Sequence, residues 1–190
     1  MSEIKTEFLF MIALEVQVLS LGSTPYGGRR LFSFNSGSFE GPKLKGRILS
    51  GGGSSLVRAD NILEIEVGLT LETDDREQIY MTWKGLRHGP KEVIDRLNRG
   101  ETVDPASYYF RATPYFETSS EKYGWLNRIC SIATGSRTAN GRTLEVFQVL
   151  WGAHKGLVPL SITVVCKSPD VCFSHKADIT TVLIHVRFRG

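Results

Sequence analysis

Apolar and polar residues alternate with a period of two along most of this chain, which is the pattern of β-strands that bury one face. The clearest run begins at Leu63, where every second residue to Leu71 is apolar, while Glu64, Glu66, Thr70 and Glu72 face the other way. Glycine-rich segments interrupt the alternation and indicate turns or bulges, above all around residues 37–53. The predicted strands are residues 8–18, 29–34, 44–49, 63–72, 79–84, 108–118, 125–134 and 143–151. In the first of them, alternate residues from Phe8 to Val18 are predicted to face inward.

One segment has the period of a helix. Pro90 suits a first helical position, Val93, Ile94 and Leu97 form an apolar stripe, and Gly100 suits the position after the helix. Short strands joined by hairpins, including an Asn-Gly pair at 140–141, favour a mainly all-β fold: a single antiparallel β-barrel with one short surface helix near residues 90–100, a candidate lid. We assign residues 1–151 to the barrel and 152–190 to a C-terminal extension whose order the pattern does not determine.

Composition narrows the class of function. The 190 residues are 41% hydrophobic and carry a net charge of +3 without a basic cluster, which argues against nucleic acid as a partner. The three cysteines and four histidines lack the spacing of a metal site, and sparse cysteines suit a reducing, cytoplasmic location. The apolar run at 8–14 is too short to cross a bilayer. We therefore expect no metal and no membrane partner.

The segment 108–118 carries the most suggestive chemistry. In a strand, Tyr109, Arg111 and Glu117 would share one face with Thr113 and Tyr115, while the opposite face would be apolar. Two interpretations fit this pattern: a lined pocket, or a polar face turned to solvent. Proline cannot donate to a strand ladder, so the proline within the segment could mark a bulge that shifts the phase beyond it.

Ordered motifs along residues 5–150 resemble domain-of-unknown-function family 3237. The motifs are Thr24-Pro25 with Gly27 and Arg29; Gly37-Ser38-Phe39-Glu40-Gly41-Pro42 with Leu44 and Gly46; Gly51-Gly52-Gly53; Thr73-Asp74-Asp75; Ile79-Tyr80; Tyr109-Phe110-Arg111; Pro114; Phe116-Glu117-Thr118; Tyr123; and Trp125-Leu126-Asn127. Two positions depart from the pattern of bacterial members: Ser54-Ser55 replaces an Asp-Trp pair, and Arg76 replaces a glycine.

This resemblance implies a small antiparallel β-barrel that needs no metal or organic cofactor and forms oligomers, so we expect a homodimer. It also implies cofactor-free ring closures like those of fungal members in secondary metabolism, such as intramolecular hydroalkoxylation on an aromatic polyketide or meroterpenoid. The expected function is thus a cofactor-independent cyclase or isomerase acting on a small aromatic substrate. The alternative is a non-catalytic barrel that carries a hydrophobic aromatic molecule.

Residue chemistry gives the candidate site. Arg111 and Arg29 suit stabilisation of a developing enolate or phenolate, because guanidinium stays protonated, and Glu117 suits proton transfer if burial raises its pKa. The alternative for Arg111 and Glu117 is a structural ion pair, and aromatic residues in a barrel are commonly core. The candidate substrate-binding residues are Phe34, Tyr109, Tyr115, Phe116, Tyr123 and Trp125.

Overall fold

Eight antiparallel strands close into one barrel in the computed structural model, which describes residues 3–138 and 141–151. Each strand pairs with its neighbour along the chain, and β1 pairs with β8 to complete the ring. The predicted fold class is thereby confirmed. The strands are β1 (Thr6–Thr24), β2 (Gly27–Glu40), β3 (Lys45–Val57), β4 (Leu63–Thr73), β5 (Gln78–His88), β6 (Tyr109–Glu117), β7 (Ser131–Thr138) and β8 (Gly141–Val149). The proposed extension at 152–190 lies outside the described residues.

The first strand departs from the predicted alternation. A register shift between Phe8 and Phe10 in the pairing with β8 puts both Leu9 and Phe10 in the core and leaves Phe8 37% exposed. The inward phase predicted for Phe8 was therefore wrong, because a bulge reverses the face of every residue on one side of it. Beyond Glu15 the strand continues as an arm with β2, on which Leu19 and Leu21 are exposed.

The glycine run at 51–53 lies inside a strand and not in a turn. β3 continues through it to Val57, with one register shift between Ile48 and Ser50, so the predicted strand 44–49 was too short. Close approach of the neighbouring strand explains the glycines: a Cβ on Gly53 would lie 2.3 Å from the carbonyl oxygen of Glu66. The bulge expected in this region is present.

The predicted strand 125–134 was wrong in its first half. Gly124–Arg128 form a 3₁₀ turn whose Leu126 is buried, and β7 begins only at Ser131. Pro114, by contrast, causes no shift of phase, since β6 alternates regularly between exposed and buried residues along its whole length. The proline is tolerated because the ladder between β6 and β7 is confined to Arg111 and Ala112.

The barrel interior has two different ends. Around Phe10, Phe39, Leu71 and Phe116 it is filled with apolar side chains, and the 3₁₀ turn packs there through Leu126. The other end, where β5 finishes and β8 begins, contains arginines among the aromatic residues. The predicted helix is present as α1 (Lys91–Asn98) and follows β5 at this second end, with Leu97 buried.

Candidate functional site

Four arginines face the interior at the second end of the barrel. Each continues the inward, apolar face of its strand: Arg30 precedes Phe32 and Phe34 on β2, and Arg87 follows Trp83 on β5 at the same parity. Arg137 and Arg142 occupy the corresponding inward positions at the adjoining ends of β7 and β8. Barrel closure brings the four strand ends to one mouth, although they are far apart in the sequence.

These arginines line a cavity that encloses about 40 Å³. Its walls are mostly apolar and aromatic, and among its lining residues there is no Asp, Glu, His, Lys or Cys. The lining residues are Leu14, Arg30, Phe32, Phe34, Ser55, Leu63, Ile65, Val67, Trp83, Arg87, Tyr108, Phe110, Ser136, Arg137 and Arg142. A space of this size holds water or the acidic group of a ligand; a ring system needs the long arginine side chains to swing outward.

The positive charge in the cavity is not balanced by the described residues. Burial, followed by repulsion from Arg137, Arg142 and Arg30, lowers the pKa of Arg87 to about 10. Burial and its arginine neighbours likewise lower the pKa of Arg142 to about 10. Both guanidinium groups therefore remain charged at neutral pH. Among the described residues, none of the four takes part in an ion pair.

Strand pairing increases the repulsion. Arg137 and Arg142 are direct cross-strand partners on β7 and β8, and like charges in that relation destabilise a sheet. Arg142 also lies over the ring of Phe32, with its guanidinium carbon 5.2 Å from the ring centroid. Two arginines facing each other in an apolar cavity are the arrangement expected where an anion binds.

Two residues that line this cavity carry a buried hydrogen-bond donor with no acceptor among the described residues. Trp83, only 4% exposed, has its indole Nε1 buried and unpaired, and the Nε of Arg87 is also buried and unpaired. Buried donors without partners are rare, because each costs about 1–3 kcal/mol of desolvation. The hydroxyl of Tyr108 accepts a bond of 3.1 Å from the backbone N–H of Arg137, so its own proton is available for donation.

Helix α1 contacts this mouth through its last turn. Arg137 donates a hydrogen bond of 2.7 Å from Nη1 to the carbonyl oxygen of Leu97, an end of the helix that attracts positive charge. Arg87 donates a longer bond of 3.4 Å from Nη2 to Oδ1 of Asn98. Two cavity arginines are thus hydrogen-bonded to the last turn of α1.

Three sequence-predicted site residues meet elsewhere, in a groove on the outer surface of the barrel. Arg29, Arg111 and Tyr109 line this groove of about 770 Å³, but Arg29 lies on β2 and Arg111 on β6, at opposite sides of it. Arg111 stacks on Tyr109 at 5.3 Å and donates to the carbonyl oxygen of Phe110. The polar face of β6 therefore points outward, toward solvent, as in the second of the two interpretations.

The outer groove is a weaker electrostatic site than the cavity. Its acidic side chains, Glu64 and Glu66, already pair with Arg58 and Lys84 at 3.1 and 3.3 Å. Arg29 donates to the hydroxyl of Ser54. Charges that face water interact through a high dielectric constant, so a bound anion would be stabilised less here than inside the barrel.

The remaining predicted residues are dispersed. Glu117 is exposed beside Phe116, at a shallow depression near the end of the barrel that is filled with apolar side chains. Tyr115 is 62% exposed on the outer face. Tyr123 is buried, and its hydroxyl donates to the carboxylate of Asp75 at 3.1 Å. Among the candidate substrate-binding residues, the cavity contains Phe34.

Trp125 is the last of the predicted set. It is half-buried in the 3₁₀ turn, under the ammonium group of Lys43 at 5.7 Å from its ring. Neither Trp125 nor Tyr123 reaches the arginine-lined cavity. Arg111 and Glu117 lie on the same strand but form no ion pair in the described part of the chain, so the structural pair considered for them is not present.

A parity rule would have found the cavity arginines from the sequence. Ile79, Met81 and Trp83 define an inward face, and the same parity continues through Gly85 to Arg87. Arg142 precedes Leu144 and Val146 in the same way. An arginine that extends the apolar face of a strand lies either inside the barrel or at its mouth. A charged side chain is rarely buried, so either place indicates a specific role for it.

Between residues 3 and 151, apart from 139 and 140, no group of three or more His, Cys, Asp or Glu side chains is placed to hold a metal ion. Over the same ranges, the structure has no helix of the length and apolarity needed to cross a bilayer.

Comparison with known proteins gives a consistent set of relatives. Residues 4–149 match the model of the family described as protein of unknown function (DUF3237). A UPF0311 protein of Rhodopseudomonas palustris is 34% identical over 149 residues, 77% of this chain and 97% of the relative. The crystal structure of that conserved protein superimposes with a TM-score of 0.75 at 33% identity, covering 79% of this chain and all of the other.

Two other solved structures share the barrel. A β-barrel-like protein of Acinetobacter baumannii is 38% identical with a TM-score of 0.66, over 78% of this chain and 97% of its own. An enzyme from Penicillium herquei matches with a TM-score of 0.60 at 22% identity, over 77% of this chain and 95% of its own. At that identity the likeness to the Penicillium protein concerns the fold alone.

Proposed function

We infer the function of this chain from the premise that it belongs to the DUF3237 family. We propose that it is a cofactor-independent cyclase or isomerase that closes an oxygen heterocycle on an aromatic polyketide or meroterpenoid phenol. The observation that carries the proposal is the cavity in which four arginines and the unpaired donors of Trp83 and Arg87 converge. An enzyme from Penicillium herquei with the same fold is consistent with a catalytic barrel.

The reaction needs little chemistry from the protein. In an intramolecular hydroalkoxylation, a substrate hydroxyl loses its proton, its oxygen bonds to one alkene carbon, and the other alkene carbon gains a proton. No electrons leave or enter, and the mass is unchanged. The protein has to hold the oxygen against the alkene, stabilise the oxyanion and move one proton.

The cavity residues suit these three tasks. Arg87 and Arg142 stabilise a phenolate or enolate in a site of low dielectric constant, where fixed positive charge acts most strongly. Tyr108 carries the proton that is free to be donated and is the candidate for proton transfer. Aromatic walls such as Phe32 and Phe110 hold the ring system.

A second candidate is a carrier that binds an aromatic anion and does not convert it. The observation that favours it is that the described residues of the cavity lining include no His, Asp or Glu, so that proton transfer would rely on hydroxyl groups such as that of Tyr108. A carrier and an enzyme share the binding site, so they differ only in what happens to the bound molecule.

The test is an incubation of the purified chain with an ortho-prenylated phenalenone or a related prenylated phenol. Liquid chromatography with mass detection follows an isomer of unchanged mass, and a chiral column follows its handedness. The variants are Tyr108→Phe and Arg87→Met in the cavity and Arg111→Ala in the outer groove. Arg47→Met, on the exposed face of β3 and paired with Glu72, is the surface control.

The outcomes separate the candidates. We expect one enantiomer from the unmodified chain, loss of at least a hundredfold in rate in Tyr108→Phe, and unchanged rates in Arg47→Met. Loss confined to Arg111→Ala would move the active site to the outer groove. Binding of the phenols without any isomer would establish the carrier.

A further inference from the structure

The arrangement of the arginines around the mouth says what kind of ligand the cavity takes. Arg30 lies on β2, Arg87 on β5, and Arg137 and Arg142 on β7 and β8. In the closed order of eight strands, these positions surround the cavity from three sides. A single acidic group bound at one side would therefore leave arginines on the other sides without a counter-charge.

The supply of donors leads to the same conclusion. One carboxylate accepts about four hydrogen bonds, whereas each guanidinium offers five N–H donors. Arg137 uses one donor on the carbonyl of Leu97, and Arg87 uses one on Asn98. The remaining donors, together with the buried indole N–H of Trp83, outnumber what a monoanion accepts.

The walls restrict the ligand further. Between the arginines the cavity is lined by Phe32, Phe34, Trp83 and Phe110, which favour a flat aromatic body. A small inorganic anion would satisfy the charges on one side but would make no stacking contact with these rings. The walls and the charges together fit an aromatic molecule with acidic groups at separate points of its edge.

We propose that the mouth of this cavity binds an aromatic dianion, a ring system with two acidic groups that face arginines from different strands. Because the space encloses about 40 Å³, the arginine side chains swing outward to admit the ring. This rests on the proposed function for the choice of site and names the substrate class of that site. In a cyclisation, one acidic group would be the reacting phenolate. The second would anchor the ring and set its orientation.

The test is isothermal titration calorimetry of the full chain with anions that differ in charge, in the separation of their acidic groups and in aromaticity. Benzoate is the monoanion, and phthalate, isophthalate and terephthalate are dianions with three separations of the carboxylates. Sulfate is a dianion without a ring, and cyclohexane-1,4-dicarboxylate is a dianion without aromatic faces. The variants are Arg87→Met, Arg142→Met and the surface control Arg47→Met, each checked for folding by circular dichroism.

We expect at least one benzenedicarboxylate to bind tenfold or more tightly than benzoate, sulfate and the cyclohexane analogue. Arg87→Met and Arg142→Met should each abolish that preference, and Arg47→Met should keep it. Equal affinities of benzoate and the dicarboxylates, or an unchanged preference in both cavity variants, would overturn the proposal. So would sulfate binding as tightly as the best dicarboxylate.

The dianion site and the proposed enzymatic function can be refuted independently, because binding and turnover are measured separately. If the dicarboxylates bind as expected but no phenol is cyclised, the dianion site stands and the proposed enzymatic function does not. If a phenol with one acidic group is cyclised at the full rate while the dicarboxylates bind no better than benzoate, the function stands and the dianion inference is wrong.

Discussion

Replacing Arg87 by methionine should stabilise the free protein while it abolishes anion binding. Arg87 lies in the mouth of the barrel, with its Nε buried and unpaired and three other arginines near it. Methionine retains the unbranched apolar stem but removes the charge and the unsatisfied donor. Removing a buried charge that has no partner is one of the substitutions that raises stability.

The magnitude follows from the pKa. Its fall from 12.5 to about 10 corresponds to roughly 3 kcal/mol against the charged form in the folded chain. Part of the side chain reaches water, and the contact with Asn98 is lost, so we expect about 1–2 kcal/mol of net stabilisation. For a domain of this size that is a rise in Tm of roughly 3–6 °C.

The dependence of stability on pH gives a second check on the same variant. A basic group whose pKa is lowered by folding carries its full penalty below the folded value, and the penalty decreases as pH rises through that value. At pH 7 the whole penalty of Arg87 is therefore present in the unmodified chain. The difference in Tm between the unmodified chain and Arg87→Met should stay constant below the folded pKa and shrink as the pH rises through about 10.

The measurement is urea and thermal unfolding at pH 7, followed by circular dichroism, with Arg47→Met as control. The control breaks only an exposed pair with Glu72 and should change stability by less than about 1 kcal/mol. A loss of 1 kcal/mol or more in Arg87→Met would refute this reasoning. It would mean that the arginine stabilises the empty barrel and is not held there at a cost for a ligand.

Three further predictions concern other parts of the molecule. Ser55→Val, at a buried position of the cavity lining, should weaken benzenedicarboxylate binding in calorimetry while circular dichroism stays that of the barrel. Hydrogen bonds from Lys122, Thr73 and Tyr123 hold the pKa of Asp75 well below its ordinary value of 3.8. The contribution of Asp75 to the stability of the fold is therefore present above that value and is lost as the pH falls below it. Asp75→Asn should flatten the dependence of Tm on pH below about 4. The expected homodimer should be visible by light scattering, and Leu19→Glu, on the exposed arm of β1, should give monomers if the arm mediates it.

Local alternation predicted the barrel well because the strand period is short and regular. The faces of β4 and β6 follow directly from their sequences, and the helix begins beside Pro90 as its position suggested. The predictions from the sequence were wrong where a bulge changed the alternation of inward and outward residues or where two strands lie unusually close. The shift beside Phe8 reverses a face, and the glycines at 51–53 permit close strand pairing in place of a turn.

The candidate site was harder to predict because it depends on which residues closure brings together. Arg111 and Glu117 share a face of one strand and drew attention for that reason, yet that face is outside. Arg30 and Arg142 are 112 positions apart in the sequence and meet only when β1 closes the ring between β2 and β8. Residues that share one face of a strand can be identified from the local sequence. Residues that meet at the mouth of the barrel can be identified only when the pairing of all the strands is known.

The charge balance of the barrel connects its fold to its function. One end is filled with apolar side chains and needs no ligand to be stable. The other end places two arginines directly opposite each other on β7 and β8, an arrangement that costs free energy in the empty protein. Binding of an anion offsets that cost, so the ligand should raise the stability of the chain by more than its contacts with neutral walls would. The C-terminal end of α1 partly offsets the same cost, because its partial negative charge lies at the carbonyl oxygen that accepts from Arg137.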